Sequence, residues 1–308
     1  MRPSEPVARP SVSIGLPVYN GERSLATAIG SILEQTHRDL ELIVSDNSST
    51  DGTEAIARAF AQRDPRIRYV RNPSNIGPIA NFNQTFRLAR GTYFKWLGAD
   101  DVCRPAYVER CLEVLESDPS TVICTSRFDE IDENGDRLRP QPYELDLSES
   151  APHKRLSALM GSDRGHALLY GLIRSSILNE TALMAPYHGS DRALLAELLL
   201  HGRLRVVPEV LWLSRDHPGR SLYVRTKLPG WQPSGSGGPA IPHLAIAAEM
   251  MRVIRRAPLS ESERARCMLA LAWSLSKRSG RLIPVFVREV VNLVAQRVAL
   301  GGSRSRLQ

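Results

Sequence analysis

The sequence predicts an α/β fold, a mostly parallel sheet flanked by helices, with a helical extension at the C-terminal end. Three observations predict it. Between Val12 and Asp101 short apolar runs alternate with segments of helical periodicity. Each apolar run ends in a polar turn. Strands bounded by turn residues and separated by helices of 10–15 residues indicate parallel strands with crossover helices. Beyond residue 241 the strand pattern stops and helical spacing with a basic surplus takes over.

The elements follow in order. Val12–Pro17 is the first strand, and the chain turns at Tyr19-Asn20-Gly21. Leu25, Ala28, Ile29, Ile32 and Leu33 recur at helical spacing. Leu40–Val44 forms the second strand and ends at Asp46-Asn47-Ser48-Ser49-Thr50-Asp51-Gly52. A helix over Glu54–Arg63 leads to the strand Ile67–Val70, then Asn75-Ile76-Gly77 opens a helix over Ile79–Ala89. The next strand, Tyr93-Phe94-Lys95-Trp96-Leu97, runs into Gly98-Ala99-Asp100-Asp101, with Lys95 expected in solvent. Val122-Ile123-Cys124 is strand-like, and Asn134-Gly135 marks a hairpin. Residues 141–152 are irregular, Asp191–His201 is a helix with Ser190 as its expected N-cap, and Leu204–Leu213 is a strand containing Pro208. Helical segments follow near 242–256, 260–276 and 282–299.

These elements divide the chain into a polar N-terminus over 1–10, an α/β domain over 11–220, a flexible linker over 221–240 and a basic helical extension over 241–308. Within the domain a first half covers about 11–103 and a second about 104–220. Hydrophobic content of 42% and charged content of 24% are those of an ordinary globular protein. Cys103, Cys111, Cys124 and Cys267 form no CxxC pair and read as buried thiols of a reducing compartment. Trp96, Trp212 and Trp273 are expected in the core. No signal peptide or membrane-spanning run is evident, so a cytoplasmic location is expected. From Met251 onward twelve arginines and lysines face three glutamates, a surplus of +9 against +7 for the whole chain. Such a surface attracts anionic lipid, which would place the protein peripherally at the inner face of the plasma membrane.

Chemistry enters with Asp100-Asp101. Adjacent ionised carboxylates repel each other, and a cation compensates them. Hard divalent ions such as Mg²⁺ or Mn²⁺ prefer oxygen ligands and commonly bring a phosphorylated substrate. A solvated turn rich in Asp is the structural alternative. The turns at Tyr19-Asn20, Asp46-Asn47-Ser48 and Asp100-Asp101 all follow carboxyl ends of strands, where open α/β sheets bind ligands.

Four ordered blocks resemble the family 2 glycosyltransferases of GT-A fold, the inverting nucleotide-sugar transferases. They are Ile14-Gly15-Leu16-Pro17-Val18-Tyr19-Asn20, Ile43 through Gly52, Asn72 through Asn81, and Leu97 through Pro105. The resemblance runs from about Val12 to His217. It implies that Tyr19 lies over the nucleobase, that Asp46 accepts from a base N–H, and that Asp100 contacts the ribose. Pro17, Asn20, Asn75 and Asn81 would complete the nucleotide-sugar contacts. Asp101 would bind the Mn²⁺ or Mg²⁺ that bridges the donor diphosphate, although Gly98 stands where the commoner pattern has another Asp. Asp191 matches the family's catalytic base, and its first-turn position alone would also explain it through the helix dipole. Arg215 would neutralise phosphate, and His217 would bind metal or phosphate. His166 is a weaker acceptor-site candidate.

The implied activity is non-processive transfer of one sugar from a nucleoside-diphosphate-sugar to a hydroxyl of a glycan or lipid-linked acceptor, in cell-surface polysaccharide biosynthesis. A processive synthase is disfavoured because no Gln-x-x-Arg-Trp signature occurs. The alternatives are an inactive nucleotide-sugar-binding or membrane-surface module of the same fold, and a sugar-phosphate nucleotidyltransferase. The latter needs a Gly-rich basic loop where this chain has Pro17-Val18-Tyr19-Asn20-Gly21-Glu22. GxGxxG is absent, which argues against a dinucleotide dehydrogenase. No nucleic-acid-binding motif accompanies the basic C-terminus, so no nucleic-acid partner is expected.

Overall fold

β1 (Val12–Val18), β2 (Leu40–Asp46), β3 (Ile67–Arg71) and β4 (Tyr93–Trp96) are parallel neighbours in the computed structural model. The structure describes residues 9–140, 147–162, 165–186, 189–216 and 242–277. The crossovers are α1 (Leu25–Leu33), α2 (Thr53–Arg63) and α3 (Pro78–Arg87). Every residue of β1, β2 and β4 is buried, as parallel strands covered on both faces require.

The second half adds β5 (Val102–Cys103), α4 (Tyr107–Ser117), β6 (Thr121–Ile131) and β7 (Arg137–Pro140). It continues through α5 (Pro152–Gly161), a 3₁₀ segment (Gly165–Tyr170), β8 (Leu172–Arg174), α6 (Ser175–Asn179), α7 (Ser190–His201) and β9 (Arg203–Arg215). The sheet order is β3-β2-β1-β4-β8-β6-β9-β5, with β7 paired to β6. β8 is antiparallel to both β4 and β6, and β6 is parallel to β9. The parallel expectation therefore holds for the first half, and the whole sheet is mixed.

One face packs Leu25, Ala28, Ile29 and Ile32 of α1 with Ala57 of α2 and Leu112 and Leu115 of α4. The other packs Phe86 of α3, Leu156 of α5 and Leu195 and Leu199 of α7. Met250, Val253 and Ile254 of α8 (Pro242–Arg256) join this second core, as do Cys267 and Leu271 of the helix over 261–277. The C-terminal helices thus share a core with the sheet domain. The expected linker (221–240) and helix (282–299) lie outside the described residues.

Several local expectations change. Lys95 is fully buried, not solvated. Its ammonium donates to the Tyr170 carbonyl and sits 4.4 Å from the Tyr107 ring centroid and 5.7 Å from that of Trp212. A carbonyl and two ring faces replace water around the charge, while burial pushes its pKa down. Strand alternation points Lys95 away from Phe94 and Trp96, which pack edge-to-face at 4.9 Å on the other side. Trp96 and Trp212 are core residues, but Trp273 is 63% exposed. Ser190 is the first helical residue and Gly189, at φ 88°, is the N-cap. That left-handed geometry favours glycine. Pro208 does not end its strand: pairing jumps from Ser126–Val207 to Arg127–Val210, so Pro208 occupies a bulge where no N–H is required. All four thiols are buried and free, as expected.

Candidate active site at the carboxyl edge

The topology brings the polar turns together. β1, β2 and β4 run in parallel, so the turns after Val18, Asp46 and Trp96 share one edge. The chain reversals through β8 make β6 and β9 co-directional with β4, which returns the end of β9 to that edge. Arg215, the last residue of β9, donates its backbone N–H to Asp101 Oδ1 at 3.1 Å. α7 is joined to β9 through Gly202 alone and carries Asp191 in its first turn.

The turn after β2 is built around Asp46, which is fully buried. Its Oδ1 accepts from Ser49 N at 2.8 Å. Its Oδ2 accepts from Tyr69 Oη and Arg71 Nη1, each at 2.7 Å. Burial opposes the charge, but the bonds from Ser49, Tyr69 and Arg71 outweigh it and hold the carboxyl below its usual range. Burial and the adjacent carboxylate push Tyr69 up to about 12. Both oxygens of Asp46 thus accept hydrogen bonds from the protein, and this bond set shapes the turn.

Asn81 is likewise internal. Its Oδ1 accepts from Ser45 Oγ at 2.7 Å and Asn72 Nδ2 at 3.1 Å, and its Nδ2 donates to Ser45 O at 2.8 Å. It is 2% exposed and braces the turn from within. Asn75 Oδ1 accepts from Asn47 Nδ2 and Gly77 N, both at 2.8 Å, which fixes the loop entering α3. Pro17 is buried in β1 opposite Ser45. Burial of a neutral polar network demands this mutual satisfaction.

Tyr19 and Asn20 face outward. Tyr19 is 51% exposed, free to present its ring to a planar ligand. Asn20 adopts φ 52°; its N–H donates to Ser49 Oγ and its Oδ1 accepts from Thr50 N, both at 2.9 Å. The first two turns are thereby locked to each other.

The turn after β4 differs in its chemistry. A Cβ on Gly98 would stand 2.7 Å from Asp100 Oδ1 and 2.9 Å from Asp101 Oδ2. Two carboxylate oxygens thus converge over a residue with no side chain. A side chain at position 98 would have to displace both carboxylates. Asp101 is 6% exposed. Arg215 straps this turn to the β6–β7 hairpin: its Nε donates to Asp100 O at 3.1 Å, and its Nη1 to Asp132 O at 2.7 Å and Glu133 O at 2.9 Å. Two converging hard oxygens are a donor set suited to Mg²⁺ or Mn²⁺.

Asp191 lies in the first turn of α7, where its Oδ1 accepts from Arg192 N at 2.8 Å. Gly189 carries α8 against the helix start, with Ile246 Cδ1 2.8 Å from the position of a Cβ. His217 lies outside the described residues, as does the side chain of His166. Sequence reasoning missed Arg71 and Tyr69 as the partners of Asp46. The signal was present, because in-register pairing of β2 with β3 sets Asp46 opposite Arg71.

The profile of glycosyl transferase family 2 matches residues 13–178. An uncharacterised glycosyltransferase of Methanocaldococcus jannaschii is 34% identical over 142 residues, 44% of this chain and 49% of its own length. Chondroitin synthase of Escherichia coli is 35% identical over 129 residues, 42% of this chain and 19% of that protein. The chain thus spans about half the length of the first of these relatives and a fifth of the second. Among solved structures, S. aureus TarS 1–349 in complex with UDP superposes at TM-score 0.63 with 16% identity, covering 87% of this chain and 71% of that one. A mannosyltransferase from Pyrobaculum calidifontis, in complex with GDP-Man and Mn²⁺, superposes at 0.54 with 16% identity, covering 95% and 81%. At that identity the structural likeness establishes the fold.

Proposed function

Because this chain belongs to glycosyl transferase family 2, we propose that it transfers one sugar from a nucleoside-diphosphate-sugar to a hydroxyl of a glycan or lipid-linked acceptor, with inversion. The observation that carries this reading is the convergence of Asp100 and Asp101 over Gly98 at the edge that also holds Tyr19, Asn20 and Arg215.

Tyr19 supplies an exposed ring for stacking on the base, and stacking tolerates any base. The Asp46 network holds the floor of that pocket rigid. Asp100 and Asp101 would hold a divalent ion, which as a Lewis acid stabilises the departing diphosphate when bound. Arg215 places a guanidinium beside the same turn. Inversion requires a base on the face of the sugar opposite the leaving group. Asp191 supplies a carboxylate on a helix rather than on the strand turns, so it approaches from a different side. It takes the acceptor hydroxyl proton as the oxygen attacks the anomeric carbon.

A membrane-side location rests on a separate observation. Among the described residues no helix is long and apolar enough to cross a membrane. Leu269 and Trp273, four residues apart on the helix over 261–277, are 70% and 63% exposed, and Lys277 lies 5.0 Å from the Trp273 ring centroid. An apolar pair beside a cation, on the most basic part of the chain, complements an anionic lipid surface.

The donor reading is tested by calorimetry with UDP, GDP and dTDP, with Mn²⁺ and with EDTA. One nucleotide should bind at least about ten-fold tighter with the metal. Equal weak binding of all three, indifferent to EDTA, would overturn it.

A further inference from the structure

The amino-terminal edge of the sheet holds a cavity of about 540 Å³ that takes no part in the proposed transfer. Arg90, Gly91 and Thr92, which precede β4, form part of it, and Ser175, Leu178 and Asn179 of α6 form the facing side. Asp100 and Asp101 follow β4, so the length of that strand, about 13 Å at about 3.3 Å per residue, stands between the two sites.

The lining is distinctive. Three arginines, Arg9, Arg87 and Arg90, contribute to it, and no acidic residue does. Arg90 is held in place from behind, with Nε and Nη2 donating to Glu41 Oε2 at 3.1 and 2.8 Å. That ion pair balances one charge and fixes one guanidinium fork. Arg9 and Arg87 have no ion-pair partner among the described residues, which leaves two positive charges on the wall. Ser175 Oγ is buried without a hydrogen-bond partner, although its backbone N–H donates to Thr92 O at 2.9 Å. Phe86 and Leu178 supply an apolar floor, 7% and 0% exposed.

Backbone conformation gives an independent pointer. Among the described residues three non-glycine positions have positive φ: Asn20, Ser48 and Leu183. Asn20 and Ser48 shape the turns of the candidate active site. Leu183, at φ 59°, lines this cavity. A large apolar residue in the left-handed region is strained, and such strain persists where the surroundings over-determine it, commonly at ligand sites.

We propose that this cavity is a second, non-catalytic anion site that takes a phosphate monoester bearing an apolar body. Guanidinium forks match phosphate geometry in bidentate fashion, and two uncompensated charges suit a dianion better than a carboxylate. The Ser175 hydroxyl and the Asn179 amide offer further polar contacts, and the floor of Phe86 and Leu178 accepts the hydrocarbon. A lipid headgroup and a soluble ester share this chemistry.

The test uses the full chain and hexyl phosphate in calorimetry at low salt. One molecule should bind, about ten-fold or more tighter than hexanoate or inorganic phosphate. Arg87→Ala combined with Arg9→Ala, both at exposed positions, should weaken it by about ten-fold or more while UDP binding stays unchanged. Excess UDP should not compete. Equal binding of hexyl phosphate, hexanoate and inorganic phosphate would overturn the proposal, as would unchanged affinity in the double variant. Competition by UDP would also overturn it, by assigning the anion to the carboxyl edge. Vesicles of phosphatidylcholine with phosphatidic acid separate the sources: competition with hexyl phosphate identifies a lipid headgroup, and none identifies a soluble ester. Failure of the metal-dependent nucleotide titration would leave these outcomes unaffected, since the two sites share no residue.

Discussion

Two acidic turns stand side by side at the carboxyl edge, and the protein treats them in opposite ways. Asp46 receives a guanidinium, a phenol and a backbone N–H, and is fully buried. Asp101 receives the backbone N–H of Arg215, whose guanidinium turns to the carbonyls of Asp100, Asp132 and Glu133 instead. Asp46 is ion-paired with Arg71, whereas Asp101 is drawn beside Asp100 over Gly98. The first arrangement shapes the turn; the second is the one on which the proposed cation site rests.

The largest expected effect belongs to neither turn. Asp191→Asn should lower kcat by ~10²–10⁴ while nucleotide affinity, read by calorimetry, stays within error. A general base contributes to the chemical step and not to donor binding. A variant that loses donor affinity in proportion would instead make Asp191 part of the donor pocket.

Next comes the contrast between the two acids. Asp46→Asn leaves Arg71 and Tyr69 without their carboxylate and should destabilise the fold by roughly 2–4 kcal/mol in urea unfolding. Asp101→Asn keeps an acceptor for Arg215 N and should cost clearly less stability than Asp46→Asn. Its metal-dependent nucleotide affinity should fall by about ten-fold or more. If Asp101→Asn proves as destabilising as Asp46→Asn, the two turns are the same kind of structure and the comparison fails.

How much of this was legible follows from what each residue answers to. The α/β order, the edge location of the polar turns and the Asn134-Gly135 hairpin are local or periodic properties, so they could be read directly. Resemblance pointed to Asp46, Asn81 and Pro17 as ligand contacts, yet all three are buried. Their burial could not be read, because it depends on Tyr69, Arg71 and Asn72 arriving from other segments. Lys95 misled for the same reason. Its cage is assembled from Tyr107, Tyr170 and Trp212, distant in sequence. Leu183 and the arginine-lined cavity carry no sequence signal at all, since the cavity exists only where α3, α6 and the entry to β4 meet.

The turns should also separate in their response to acid. Asp46 in the folded protein lies below its ordinary value of 3.8, so its contribution is fully present above that value. It is lost as pH falls through the folded value, because the unfolded chain then binds the proton more readily. The stability gap between the wild type and Asp46→Asn, measured by urea midpoints, should therefore be constant from pH 7 to about 5 and close progressively below about 4. A gap that closes nearer neutrality would mean that the bonds from Ser49, Tyr69 and Arg71 do not outweigh burial.

The smallest expected effect sharpens the ligand side. Tyr19→Ala removes an exposed ring whose hydroxyl makes no hydrogen bond among the described residues, so stability should change by less than about 0.5 kcal/mol. Nucleotide affinity should fall by about 1–3 kcal/mol, the range found for a base stacked on an aromatic face. Tyr19→Phe keeps the face and should bind like the wild type. The loss in Tyr19→Ala should be similar for each nucleotide tested, since stacking does not read hydrogen-bond edges. A loss confined to one base would show that Tyr19 reads the base through its hydroxyl, and Tyr19→Phe would then share the defect. Either result keeps the outward-facing turn functionally distinct from the buried Asp46 network beneath it, and equal stability losses in Tyr19→Ala and Asp46→Asn would erase that distinction.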